Sequence, residues 1–279
     1  MREISAQLIT QTVKRLCIDA NIHLPTDVKE ALAAADGEET WPLAKETLRY
    51  IKQNAEVAVQ NEMPVCQDTG MACVFLKIGQ DVHIDGNLTE AVNEGVRQGY
   101  TEGMLRKSVV RDPLDRVNTG DNTPAVLYTE LVAGEHVEIT VAPKGFGSEN
   151  MSQIAMLPPS AGEQGVRDFV LKVVEEAGPN PCPPIVVGVG IGGTFDRAAL
   201  LAKQALLRPL GERNRDPYYA KMETELLESI NALGIGPQGL GGKTTALAVN
   251  IETFPTHIAG LPVAVNINCH VTRHKTEVL

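Results

Sequence analysis

The chain has 279 residues, of which 43% are hydrophobic and 22% charged, the make-up of a soluble globular protein long enough to bury a sizeable core. Its formal net charge of −10 argues against non-specific binding to nucleic acid or an anionic membrane, yet leaves room for a local pocket that attracts a small anion. The five cysteines are odd in number and widely spaced, and no apolar leader or membrane-length apolar run is visible, so the reading is a cytoplasmic chain without a disulfide framework.

Residues 1–60 read as helical. Ile4, Leu8, Val13, Leu16 and Ile22 recur at near-helical intervals, and Cys17 sits among them as a core thiol. A second helix is expected over 27–35, started by Pro25-Thr26. A third is expected over 42–59, with Leu43, Leu48, Ile51 and Val57 as its buried stripe. Residues 72–78 then read as a strand that packs Cys73, and 88–103 as a helix. The segments 125–131 and 137–142 alternate like paired strands around Ala133-Gly134-Glu135. Further helices are predicted over 165–177, 197–207 and 216–233, and further strands over 185–189, 245–251 and 261–267. No repeat or linker interrupts the pattern. The expectation is one mixed α/β domain over 1–279, with helical segment 1–60 packed on a core, 61–279, of mixed sheets flanked by helices.

Two glycine-rich stretches imitate nucleotide sites. Gly188-Val189-Gly190-Ile191-Gly192-Gly193 fits G-x-G-x-x-G, but the following helix runs into the turn-like segment 208–213 where a second strand and its acidic end are needed. Close backbone packing is the better reading of those glycines. In Gly236–Thr244 the first glycine of a phosphate loop must fall at position 237, which is proline, so that reading is rejected.

Three cysteines stand in settings that ordinary packing does not explain: Pro64-Val65-Cys66-Gln67-Asp68-Thr69-Gly70, Asn180-Pro181-Cys182-Pro183-Pro184 and Asn266-Ile267-Asn268-Cys269-His270. Turn-formers or polar runs beside each thiol predict presentation on a loop. Three loop thiolates can share an iron–sulfur cluster and leave one iron open as a Lewis acid. Their wide spacing, taken alone, fits three unrelated free thiols as well.

The order of these blocks, with Lys144-Gly145-Phe146-Gly147-Ser148-Glu149-Asn150 between the first two, resembles the class I fumarases, iron–sulfur hydro-lyases. The likeness covers nearly the whole chain but only the family's amino-terminal, cluster-binding part, often a separate alpha subunit. It implies a 4Fe-4S cluster on Cys66, Cys182 and Cys269. It also implies proton transfer by Asp68 with His257, and substrate contacts from Gln67, Arg106 and the Gly147 backbone. Each has a plainer alternative: Asp68 suits a turn with Thr69 and Gly70, His257 a surface loop, and Arg106 a solvated face shared with Lys107, Arg111 and Arg116. Phe146 replaces a glycine common in relatives, which leaves open which glycine of 145–147 meets substrate. The loop Asn118–Pro124 belongs to the likeness as structure.

The resemblance further implies a beta subunit that completes the active site, and a symmetric pair of such heterodimers. The implied reaction is reversible hydration of fumarate to (S)-malate. The segments Gly147–Ser152 and Cys269–Lys275 favour fumarase over the related L-tartrate dehydratase. A non-catalytic iron–sulfur sensor would need no acid, base or substrate arginine beside its ligands, and Asp68, Arg106 and His257 speak for the enzyme.

Overall fold

The computed structural model of the protein describes residues 2–279 and is mixed α/β, as the pattern of periodicities indicates. Its internal contacts fall into two compact units built from interleaved stretches of chain: residues up to Pro25, Asn54–Phe146 and Arg273–Leu279 in one, Thr26–Gln53 and Gly147–Thr272 in the other.

The first unit centres on β2 (Met71–Gly79), a nine-residue strand with a nearly continuous apolar run. It pairs in parallel with β4 (Val126–Val132) and antiparallel with β5 (Val137–Lys144), and β5 carries β10 (Lys275–Val278) on its far side. The expected hairpin of the two segments around Gly134 is therefore absent: β2 lies between them. Alternation identified both strands, but it carries no information on which partner each takes. Two short strands outside the predicted set, β1 (Arg2–Ser5) and β3 (Val82–Asp85), pair in parallel. Ile4 thus belongs to a strand and not to the helical stripe.

Helix α1 (Ala6–Ile22) starts at Ser5, whose Oγ accepts the Leu8 N–H at 3.2 Å. It buries Ile9, Val13, Leu16 and Cys17, while the predicted Leu8 is exposed. Burial pushes the Cys17 thiol up to about 12, as a core cysteine requires. Helix α4 (Leu88–Glu102) lies against α1 through Gly95 and Gly99. A Cβ at Gly99 would stand 2.8 Å from that of Cys17, so only glycine permits this approach.

In the second unit the sheet order is β6 (Gln153–Leu157), β9 (Leu261–Asn268), β7 (Ile185–Gly192), β8 (Ala246–Phe254). Strand β7 is buried along its whole length, which explains its unbroken apolar and glycine composition. Helix α7 (Phe195–Ala205) presses on it, and a Cβ at Gly188 or Gly190 would stand 2.1 Å from the carbonyl oxygen of Ala202 or Ala198. The G-x-G-x-x-G run is therefore a packing feature of β7 and of the turn at Gly193 that follows it. Helices α2 (Thr26–Glu38), α6 (Gly162–Ala177) and α8 (Pro217–Ala232) complete this unit, and the short α5 (Phe146–Glu149) bridges the last residue of the first unit and the start of the second in the chain. Helix α3 (Pro42–Gln60) buries Ala44, Leu48, Ile51, Ala55 and Ala58. The predicted Leu43 and Val57 are exposed, because the small alanines, not the larger side chains beside them, mark its inward face.

Candidate active site

The Cys66–Gly70 loop enters β2 and is fixed at both ends. The Val65 N–H donates to Asn21 O at 2.9 Å, and the Asn54 amide donates to Val65 O at 2.8 Å. Within the loop the Asp68 N–H donates to the Cys66 sulfur at 3.4 Å. The Asp68 carboxylate accepts the Gly70 N–H on Oδ1 at 3.0 Å and the Phe146 N–H on Oδ2 at 2.9 Å. Its carbonyl oxygen receives the Arg273 guanidinium at 2.6 Å. Asp68 does make the turn that its neighbours suggest, but the second backbone donor, from Phe146, aims the carboxylate as well.

Buried side chains hold the following residues. Tyr100 Oη donates to Thr69 O and Gly70 O at 2.8 and 3.0 Å. The Asn122 amide donates to Gly70 O at 3.2 Å, and its oxygen accepts the N–H groups of Ser108 and Val109. Gly70 has φ +76, and a Cβ there would meet the Lys144 backbone at 2.8 Å. Thr69 Oγ1 donates to Arg106 O at 3.1 Å, which anchors the backbone of Arg106 next to Asp68 while its side chain stays exposed. Gln67 is exposed, and Cys66 and Asp68 are half-buried. The first unit thus carries Cys66, Gln67 and Asp68 on one loop, with the Arg106 backbone tied to it through Thr69. The Asn118–Pro124 loop serves as its scaffold through Asn122.

In the second unit Cys182 is exposed with φ +55, an uncommon backbone for a residue that carries a Cβ. Its carbonyl oxygen receives the His270 N–H at 3.3 Å, and His270 Nδ1 lies 2.9 Å from the same oxygen. Because β7 and β9 run antiparallel with Val186 opposite Asn268, Cys182 before β7 and Cys269 after β9 come to one end of the sheet. Gly147 joins them: a Cβ there would stand 3.8 Å from Asn180 O.

A polar cluster that sequence reasoning missed supports that end. Lys203 Nζ donates to Glu149 Oε1 at 2.6 Å, the Asn266 amide to Glu149 Oε2 at 2.7 Å and to Ser152 Oγ at 2.8 Å. It pins the turn carrying Gly147 to the strand that delivers Cys269. Arg273 and Tyr100 were missed for the first unit in the same way, whereas Asn122 lies in the loop already read as structure.

His257 does not join this group. It is exposed on the loop between β8 and β9, where Thr256 Oγ1 donates to Gly193 O at 2.9 Å. Eight residues of β9 separate that loop from Cys269, a rise of roughly 25 Å at strand spacing. A cavity of about 490 Å³ beside it is lined by Thr194, Arg197, Phe254 and His257.

No disulfide joins any of the five cysteines. Cys17 and Cys73 are buried in the core, whereas Cys66, Cys182 and Cys269 are in loops, Cys182 exposed and the other two half-buried, the donor chemistry that iron–sulfur ligation asks for. Among the described residues no three histidine, cysteine or acidic side chains are drawn together as metal ligands, and no helix is long and apolar enough to cross a membrane.

The family profile described as fumarate hydratase (Fumerase) matches residues 10–278. A Methanocaldococcus jannaschii protein, provisionally named L(+)-tartrate dehydratase subunit alpha, is 47% identical over 272 residues, which cover 95% of each chain. The Escherichia coli K12 protein named L(+)-tartrate dehydratase subunit alpha is 34% identical over 272 residues, covering 96% of this chain and 89% of the relative. The profile's description carries fumarate, and both relatives' names carry tartrate.

Proposed function

The chain belongs to the fumarate hydratase family of hydro-lyases, and from that premise we propose that it is the alpha subunit of a two-subunit iron–sulfur enzyme that hydrates fumarate reversibly to (S)-malate. The observation that carries this reading is the Cys66–Gly70 loop. It sets a loop thiol beside an aimed carboxylate and ties the backbone of Arg106 to the same loop through Thr69, which a mere sensor would not need.

Cys66, Cys182 and Cys269 would hold a 4Fe-4S cluster. When bound, such a cluster with one iron lacking a protein ligand supplies Lewis acidity toward the substrate hydroxyl. The chain's own residues do the rest. Asp68 takes up or returns the proton of the hydration step at its carboxylate. The two backbone N–H donors keep that carboxylate in one orientation, so little reorganisation accompanies proton transfer. The Arg106 guanidinium can grip one substrate carboxylate through two parallel hydrogen bonds. Gln67 and the Gly147 N–H supply further donors, since a dicarboxylate withdrawn from water must be paired.

His257 is separated from Cys269 by the length of β9. A role in proton transfer at this site therefore requires His257 from a second copy of the chain. The proposed assembly, a symmetric pair of alpha–beta heterodimers in the cytoplasm, provides that copy.

The second reading is the alpha subunit of an L-tartrate dehydratase, which the names of both relatives favour. Malate and tartrate differ by one hydroxyl, a group that a hydrogen-bonding site can discriminate strongly. Co-production with the beta subunit, anaerobic purification and parallel assay on fumarate and L-tartrate separates the two. Turnover of fumarate well above that of tartrate is expected, and only in the presence of the beta subunit. The reverse preference assigns the tartrate reaction, and robust turnover by the chain alone overturns the two-subunit reading.

A further inference from the structure

The glycine-rich segment that fails the phosphate-loop register holds an anion after all, and the anion is the chain's own. Glu39, buried at the turn after α2, accepts the Thr40 and Trp41 N–H groups on Oε1 at 2.8 and 2.9 Å and the Lys243 N–H on Oε2 at 2.7 Å. Gly242, with φ +121, leaves room for this carboxylate, since a Cβ there would stand 2.7 Å from Glu39 Oε2. The segment so fastened reaches the Cys182 loop at three points. A Cβ at Gly239 would lie 2.3 Å from that of Pro179, the Gln238 N–H donates to Pro183 O at 2.7 Å, and Gln238 Nε2 donates to the same oxygen at 2.8 Å. Gln238 Nε2 also lies 3.1 Å from His270 Nδ1, next to Cys269.

The need for such help follows from composition. Pro181, Pro183 and Pro184 carry no N–H, so beyond the Cys182 N–H bond to Pro179 O the carbonyls around Cys182, whose φ is +55, depend on donors from outside the loop, among them Gln238. We propose that the Gly236–Thr244 segment is a brace that positions the Cys182 and Cys269 thiols for metal, with Gln238 as its positioning residue and Glu39 as its latch. The role toward metal rests on the reading of these two cysteines as cluster ligands.

Gln238→Gly is the sharpest variant. Gln238 has φ +55, so glycine relieves the backbone and keeps the N–H bond to Pro183 while removing the amide. Hydrogen exchange of the metal-free full chain should show the Cys182 and His270 amides opening about fivefold faster, the worth of roughly one net hydrogen bond, with the 66–70 loop unchanged. Glu39→Gln, which turns an acceptor toward the Lys243 N–H into a donor, should speed the same amides. After anaerobic reconstitution with iron and sulfide, both variants should lose iron to a chelator faster than the parent. Unchanged exchange in both variants overturns the brace. Faster exchange with unchanged iron retention overturns its role toward metal. A parent chain that takes up no iron overturns the cluster reading, while the exchange measurement still decides whether the brace exists.

Discussion

The Cys66 loop brings its own donors: the N–H groups of Asp68 and Gly70 turn back onto the sulfur and the carboxylate, and Tyr100 and Asn122 then clamp the carbonyls of Thr69 and Gly70. The Cys182 loop, set among prolines, turns its Cys182 N–H onto Pro179 O, but the carbonyls of Cys182 and Pro183 are held by donors from His270 and Gln238. An acid can be aimed only where donors are available to aim it. This is why the first loop carries both a candidate ligand and a candidate acid–base group, while the second presents a thiol alone. Candidate ligands thus stand on both loops and the candidate acid–base group on the first alone, and that difference can be tested experimentally.

The largest effect should come from the thiols. Cys66→Ser, Cys182→Ser and Cys269→Ser, reconstituted anaerobically, should each lose the iron–sulfur absorption and all turnover, since a serine hydroxyl is a poor substitute for a soft thiolate ligand. Cys17→Ala and Cys73→Ala, in the core, should keep the parent's iron content. Iron loss from either control, with the fold intact by circular dichroism, would show that the wrong set of thiols has been assigned.

Asp68→Asn separates chemistry from ligation. Turnover by the complete enzyme should fall by about 10²–10⁴, the usual worth of a positioned acid–base group, while iron content stays near the parent's. If iron falls along with turnover, Asp68 serves to place the Cys66 thiol and is not a separate acid–base group, and the contrast between the two loops disappears.

Much of this was legible in the chain. Periodicity located α1, α4, α7, α8 and the strands β2, β7, β8 and β9 because each puts apolar residues on one face or in one run. Turn-formers beside Cys66, Cys182 and Cys269 correctly announced loops. What could not be read was partnership across long separations. β4 and β5 look like a hairpin until β2 is found between them. Arg273 holds Asp68, and Gln238 holds Pro183, from far along the chain. The closeness of His257 and Cys269 in sequence is misleading for a related reason: the strand between them is extended, so the few intervening residues carry them to opposite ends of the sheet.

The smallest effect concerns the scaffold of the first loop at low pH. Burial works against ionisation of Asp121, but hydrogen bonds from the Thr123 N–H and hydroxyl and from Arg97 outweigh it and hold the carboxyl down at about 2. Asp121 precedes Asn122, whose left-handed backbone at φ +63 lets its amide clamp Gly70. A carboxyl depressed from 3.8 in the unfolded chain to about 2 in the folded one contributes stability that is fully present above 3.8. That contribution drains away as pH falls through the window toward 2. The Arg97 pairing is partly open to solvent, so the whole is modest. Asp121→Asn in the metal-free chain should lower Tm by about 2–4 °C near pH 6, and the gap from the parent should shrink steadily below pH 4. Hydrogen exchange should place the loss in the 66–70 loop and leave the Cys182 loop, with its borrowed donors, unaffected. A gap that stays constant down to pH 2.5 would mean that the Asp121 charge contributes nothing to the first loop, which would then stand on Tyr100 and Asn122 alone.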